Sequence, residues 1–372
     1  VAESTRLVDL VHAEIAAFLD ARAPLITGVA SDLAPYLDYS RDLLSGGKRV
    51  RALFAYWGWR SVHGAPDALD PLPPSPNATE LAPVITLAAA LEFFHAAALV
   101  HDDIIDNSET RRGAPSAHVR FTALHTASEW AGDAAQFGRS AGILLGDLLL
   151  GFSDELVAAA LSLLPSASAA AARAEFDRMR REVTLGQYLD ILEESSWLRR
   201  DEAELLPRAQ RVIVYKSAKY SIEAPLAIGG AMAGAGDEQL AALREFGLPL
   251  GIAYQLRDDM LGVFGDPAVT GKPAGDDLRE GKRTVLVALA RAGLPGNARH
   301  LLDELLGDPT LDPAQIEVLQ GAIVDSGAVE KIERIIERQV GLALGALRGA
   351  PLAGEAVREL TSLADVVSSR VA

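Results

Sequence analysis

The stretch that most limits what this chain can fold into is a nearly unbroken apolar run, Leu81–Val100, that leads directly into the carboxylates Asp102, Asp103 and Asp106. The run has the length of a membrane span. It carries Glu92 and His95, however, and acids follow it at once, so the reading is a buried core helix with no integral membrane segment. Proline is tolerated only in a helix's first turn, so Pro83 places the start near Glu80. From there to Asp106 is about 25 residues, on the order of 40 Å of helix. Being apolar on almost every side, this helix belongs at the centre of a fold.

The end of the run carries the chemistry. In a helix Asp102 and Asp106 are i and i+4 and share a face, with Asp103 roughly 100° round from Asp102. Three carboxylates this close repel one another, and a helix C-terminus is the unfavourable end for anions. A solvated acidic helix end is the bland explanation. Divalent cations are the functional one, because hard cations take oxygen ligands and Mg2+ leaves positions open for phosphates.

A second long apolar helix, over 238–264, ends Tyr254-Gln255-Leu-Arg-Asp258-Asp259-Met-Leu-Gly262. Two such helices side by side would set their acids across an apolar cleft. A diphosphate held there by metals could be neutralised by Arg111, Lys216, Lys272 and Lys282. Ser45-Gly-Gly-Lys48-Arg-Val-Arg51 has the makings of a second anion site, since glycines before a helix start let backbone N–H groups approach an anion. Lys48, Arg51 and Arg112 would be its cations. Metal-held diphosphate, second phosphate site and apolar slot together point to chemistry on prenyl diphosphates.

The remaining sequence narrows the class. Helical spacing covers 4–22, 31–44, 117–161 and 168–195, and several amphipathic helices fill 284–372, with no sustained alternation at period two. The proline-rich stretch 62–79 reads as a loop within one domain. The expectation is an all-α fold, a single domain over 1–372. Net charge is -16, from 35 basic and 51 acidic residues, which disfavours nucleic acid as a partner. With no cysteine there is no disulfide, thiol nucleophile or Cys-based metal site. Glu3, Arg6, Asp9 and Glu14 argue against a secretory leader, and a cytoplasmic protein is expected.

At this point the chain resembles the trans-isoprenyl diphosphate synthases, or polyprenyl synthetases. The matching residues are Gly46-Gly47-Lys48-x-x-Arg51, Glu92-x-x-His95, Asp102-Asp103-x-x-Asp106 with Arg111-Arg112-Gly113, Gly186-Gln187-x-x-Asp190, Lys216-Ser217 and Tyr254-Gln255-x-x-Asp258-Asp259. The tail Gly271-Lys272-x-x-Gly275-x-Asp277-Leu278 with Gly281-Lys282 completes the series, which spans residues 46 to 282.

The resemblance implies a bundle of long helices around a cavity, a homodimer and three Mg2+ ions. Asp102 and Asp106 would hold two ions and Asp258 the third, with Asp103 and Asp259 in support. The allylic diphosphate would meet Arg111, Gln187, Lys216, Ser217, Gln255, Lys272 and Lys282. Isopentenyl diphosphate would meet Lys48, Arg51, His95 and Arg112. Gly262 departs from the pattern, standing where many relatives have a third aspartate.

Product length would be set by bulk just upstream of Asp102. Ala97 and Ala98 are small there and Phe93 and Phe94 lie about one turn deeper, so a C20 product, geranylgeranyl diphosphate, is expected. Longer-chain synthesis is the alternative. A class I terpene cyclase would have no use for Lys48, Arg51 and Arg112, and a non-catalytic partner subunit would have no reason to keep both acid motifs.

Overall fold

The computed structural model describes residues 2–63, 78–266 and 275–368. The proline-rich stretch therefore lies almost entirely outside the described residues, as does Lys272. The fold is all-α. Its contacts divide the chain into two compact units, residues 1–173 with 228–234 and residues 174–227 with 235–372.

In the first unit the helices are α1 (Ala2–Val29), α2 (Ala34–Leu44), α3 (Val50–His63), α4 (Ala78–Ile105), α5 (Ala117–Ala127) and α6 (Ala134–Ser162). The apolar run forms α4, which packs against α1, α3, α5 and α6. It is long and apolar enough to cross a membrane, but most of its surface is covered by these neighbours. Burying such a helix on all sides supplies the apolar area on which the unit's stability rests. Phe93 is fully buried in an edge-to-face triad with Phe18 of α1 and Phe152 of α6, ring centroids 5.3 and 6.0 Å away.

Close approach between α4 and α6 depends on glycine. A Cβ at Gly146 would run into the His101 ring, with Cε1 at 2.8 Å, and one at Gly142 would meet Ile104 Cδ1, also at 2.8 Å. At the opposite margin the segment 228–234 lies against α3, where a Cβ at Gly229 would come 2.9 Å from the Trp59 amide nitrogen. Between α4 and α5 the chain forms a short antiparallel hairpin, β1 (Thr110–Arg111) with β2 (Ala114–Pro115). It is the only sheet among the described residues.

Two helices, α7 (Ser166–Ser196) and α9 (Ala224–Met232), belong in part to each unit. The second unit holds α8 (Glu202–Val212), a π-helical segment at Ile213–Glu223, α10 (Asp237–Phe264), α11 (Asp276–Glu280), α12 (Val285–Gly293), α13 (Gly296–Leu305), α14 (Pro313–Asp325), α15 (Ala328–Ala346) and α16 (Gly354–Ser368). Pro225 is the second residue of α9, which continues without interruption from the π-helical segment.

The core of this unit gathers Leu256, Leu278, Leu286, Leu319, Ile323 and Ile332. Arg257 of α10 adds a two-pronged ion pair to Glu333 of α15, at 2.6 and 2.7 Å. Asp312 and Gln315 form a reciprocal capping box on α14, and Thr284 accepts from the Val287 N–H at the start of α12.

Candidate active site

At the end of α4 the helical turn persists through the acids, with the Asp106 N–H donating to the Asp102 carbonyl at 2.8 Å. Asp102 and Asp106 are half-buried, whereas Asp103 is buried. Arg111, delivered by β1, donates from Nε to Asp103 Oδ1 at 2.9 Å and from Nη2 to the same oxygen. Its Nη2 also lies 3.8 Å from Asp102 Oδ2. The second acid of the motif is thus neutralised in place, and the first and third keep some exposure.

The hairpin turn positions the next arginine. Arg112 is left-handed at φ 55° beside Gly113 at φ 75°. Its guanidinium lies over Gly47, where a Cβ would come 3.2 Å from Nη2, and its Nη1 donates to the Leu43 carbonyl at 3.3 Å. Gly46 and Gly47 have φ of 114° and 98°, values that favour glycine. Lys48 is exposed in this loop and Arg51 half-buried in the first turn of α3. Helix α3 starts at Val50, so Lys48 is presented by the loop and Arg51 by the helix.

His95, two turns before Asp102, is held well below the usual histidine pKa. Loss of solvation is the larger cause, followed by the positive charges of Arg51, Arg112, Arg111 and Arg49. It is therefore a neutral imidazole in a cationic surrounding, able to donate or accept without adding charge. Burial, and then the charge of Arg49, likewise push the Arg112 pKa down. Such a crowd of guanidinium groups is a site that gains by taking an anion.

Arg49 is the residue here that sequence reasoning missed. It is left-handed at φ 48°, its side chain is 1% exposed, and its Nη1 donates to Glu92 Oε2 of α4 at 2.8 Å. Its Nη2 reaches the Leu44 carbonyl. This buried pair ties the glycine loop to the same helix that carries His95 and the acids. The available signal was Glu92, an acid inside an apolar helix that requires a cation.

In the second unit, Lys216 of the π segment pairs with buried Asp190 of α7. Gly186 permits it, since a Cβ there would come 2.7 Å from Lys216 Cα. From the other side, a Cβ at Gly251 of α10 would come 2.8 Å from Ala218 Cα. The π segment is therefore clasped between two helices at glycines, and Ser217 lies half-buried within it. Gln187 is half-buried one turn before Asp190. Lys282 is half-buried and lies 3.3 Å from Glu280 Oε2.

On α10, Asp258 is half-buried and Asp259 buried. Gln255 donates to Asp259 Oδ1 at 2.8 Å, while Oδ2 has no hydrogen-bond partner among the described residues. Burial pushes the Asp259 carboxyl up to about 8; the Gln255 hydrogen bond opposes this, and the charges of Asp277, Asp258 and Asp190 add to it.

The two faces of α4 separate the four residues upstream of Asp102. Phe93 meets Phe152 of α6, and His101 Nε2 lies 3.2 Å from the Ile143 carbonyl of α6. Ala97 is i+4 from one and i−4 from the other, so it faces α6 and is fully buried. Ala98 is half-buried and shares its face with Phe94 and Asp102.

No three His, Asp or Glu side chains among the described residues form a ready-made metal cage. That suits Mg2+, which is usually held by one or two carboxylates together with substrate phosphates and water. The donors are all carboxylate oxygens, and the buried Asp259 Oδ2 awaits a partner. The residues fit a hard divalent cation.

Comparison with known proteins agrees with the geometry. The family model described as polyprenyl synthetase matches residues 35–323. The structure of a geranylgeranyl pyrophosphate synthase from Corynebacterium glutamicum, complexed with isoprenyl diphosphate and magnesium, matches with a TM-score of 0.90 and 37% identity over 98% of this chain and 99% of that one. The geranylfarnesyl diphosphate synthase of Aeropyrum pernix is 33% identical over 88% of this chain and 91% of its own length. The octaprenyl diphosphate synthase of Escherichia coli is 28% identical over 70% and 71%.

The Arg49–Glu92 pair sets up a stability test. Glu92→Gln leaves a buried cation without its counter-charge among three more guanidinium groups, and a loss of about 3–5 kcal/mol is expected. Arg49→Met/Glu92→Leu removes both charges and should recover most of that loss. Chemical denaturation of the two variants and the parent checks both values.

Proposed function

The chain belongs to the polyprenyl synthetase family, and we propose that it joins isopentenyl diphosphate head-to-tail to an allylic diphosphate to give a longer trans-prenyl diphosphate. The observation that carries this reading is in the first unit. There the carboxylates of Asp102, Asp103 and Asp106 stand next to a cationic site built from Arg51, Arg111, Arg112 and neutral His95. A diphosphate that departs with metal and a second diphosphate that stays on its substrate require these two kinds of site. A class I cyclase, which uses one diphosphate, gives no role to the second.

The reaction breaks the allylic C–O bond, and the electron pair leaves with the diphosphate. The isopentenyl double bond then attacks the resulting allylic cation, and a proton is lost from the adduct to the released diphosphate. Mg2+, when bound, supplies neutralisation of the departing charge. Asp102 and Asp106 would hold two ions and Asp258 a third, with Asp103 and Asp259 as buried supports. Lys216, positioned by Asp190, together with Arg111, Gln187, Ser217, Gln255, Lys272 and Lys282, would bind the allylic diphosphate. Lys48, Arg51, Arg112 and His95 would hold isopentenyl diphosphate, so the enzyme works by charge and orientation without a side-chain base.

The product we infer is C20, geranylgeranyl diphosphate. Ala98, on the face shared with Asp102, leaves room for a growing tail, and Phe94, one turn further along that face, supplies bulk below it. Relatives named for C20, C25 and C40 products frame the alternative of a longer chain. We also infer a homodimer through the first unit. There Leu25 and Val29 of α1 and Ile143 and Leu144 of α6 are exposed, at 64%, 78%, 46% and 59%, around a groove of about 700 Å3.

Purified chain with Mg2+, isopentenyl diphosphate and primers of increasing length should yield prenyl diphosphates that mass spectrometry sizes at C20; turnover without isopentenyl diphosphate would point to a cyclase. Asp102→Ala should lower kcat by a factor of 100 or more with an unchanged circular dichroism spectrum. Ala98→Phe should shorten the product, whereas a full-length product would place the floor of the slot elsewhere. Leu144→Glu should convert a dimer to a monomer in sedimentation velocity, and a parent that is already monomeric would rule out the dimer.

A further inference from the structure

Four residues other than glycine are left-handed among the described residues, and two of them are the arginines Arg49 and Arg112, at φ 48° and 55°. That backbone is strained for most residues other than glycine, and the strain persists only where the surroundings hold it. Gly46 and Gly47 take positive φ in the same loop without it. At position 49 the chain keeps a long side chain instead, so the use made of that side chain outweighs the strain.

That use is inward. Arg49 Nη1 donates to Glu92 Oε2 at 2.8 Å and Nη2 to the Leu44 carbonyl, with the side chain 1% exposed. Arg112 Nη1 donates to the neighbouring Leu43 carbonyl at 3.3 Å. Two of the last carbonyls of α2, which the helix itself leaves without partners, are thus taken by guanidinium groups, whose charge a helix C-terminus favours. Glu92 stands three residues before His95, so the two share a face of α4. Arg49 therefore bolts the loop between α2 and α3 to the helix face that carries His95, while Lys48, one residue earlier, is exposed. A buried ion pair suits this task better than an apolar contact, because moving either partner leaves the other charge uncompensated.

We propose that Arg49 is a positioning residue for the second substrate: through Glu92 it locks the 45–49 loop in the strained form that presents Lys48 to the diphosphate of isopentenyl diphosphate. Arg49 itself is held in its buried pair, so it acts through Lys48 and only at one of the two diphosphate sites. With the loop released, Lys48 samples many orientations, and substrate binding has to supply the ordering that the fold now provides. The inference rests on the assignment of Lys48, Arg51, Arg112 and His95 to isopentenyl diphosphate above.

The test is steady-state kinetics of the full chain with Mg2+, varying isopentenyl diphosphate at saturating farnesyl diphosphate, and then the reverse. Arg49→Met/Glu92→Leu, the pair substitution expected above to keep most of the stability, should raise the KM for isopentenyl diphosphate by about tenfold or more. The KM for farnesyl diphosphate and kcat should stay within about twofold of the parent, a split that general loss of stability would not produce. Arg49→Lys keeps a cation on Glu92 and should hold the KM for isopentenyl diphosphate within about threefold. Should the double variant not fold, Arg49→Gln is measured in its place with the same expectation. An unchanged KM for isopentenyl diphosphate would overturn the proposal, as would a rise shared equally by farnesyl diphosphate. A parent that joins no isopentenyl diphosphate to an allylic diphosphate would instead overturn the prenyl-transfer reading itself.

Discussion

The grip of Arg111 on Asp103 is the interaction on which the first unit's site depends. Anions at a helix C-terminus face an unfavourable dipole, and α4 ends in three of them. One guanidinium cancels the acid that is buried, where uncompensated charge would cost most, and leaves Asp102 and Asp106 for other ligands. The same contact anchors the hairpin, and the hairpin brings Arg112 over Gly47. Acids and anion site are therefore joined mechanically as well as electrostatically, while Arg49 and Glu92 fasten the glycine loop to α4 from beneath.

In the second unit, contact replaces charge as the organising constraint. Gly186, Gly247 and Gly251 let α7 and α10 close on the π segment at backbone distance, a Cβ at Gly247 meeting Glu223 Cα at 2.8 Å. At that range side chains can project only along permitted directions, and Lys216 is turned to Asp190. Packing thus supplies the orientation that an exposed lysine on a solvated helix would lack.

Much of this was legible in the sequence. The period of the apolar residues gave the long helices, and their acidic ends marked the chemistry, because carboxylates at such spacing are unfavourable without ligands. The illegible parts share a cause: they depend on which residue another segment brings near. Ala97 and Ala98 are indistinguishable as letters, yet one faces α6 and the other the side of Asp102. Arg49 is one basic residue among three in 48–51, and only the fold sets Glu92 against it. Asp277 lies 15 residues beyond Gly262 in sequence but against it in space. The π geometry of 213–223 has no local signature, since helix propensity does not separate hydrogen bonding to i+5 from hydrogen bonding to i+4.

That π geometry bears on how the chain can diverge. A π turn accommodates additional residues in a helix without breaking it, so everything after it is re-phased by roughly 100° for each residue gained or lost. Substitutions within 213–223 alter a side chain, but a one-residue deletion would swing Lys216 or Glu223 off its bearing and carry the start of α9 with it. Outside Lys216 and Ser217, this stretch is bound more tightly in its count than in its letters.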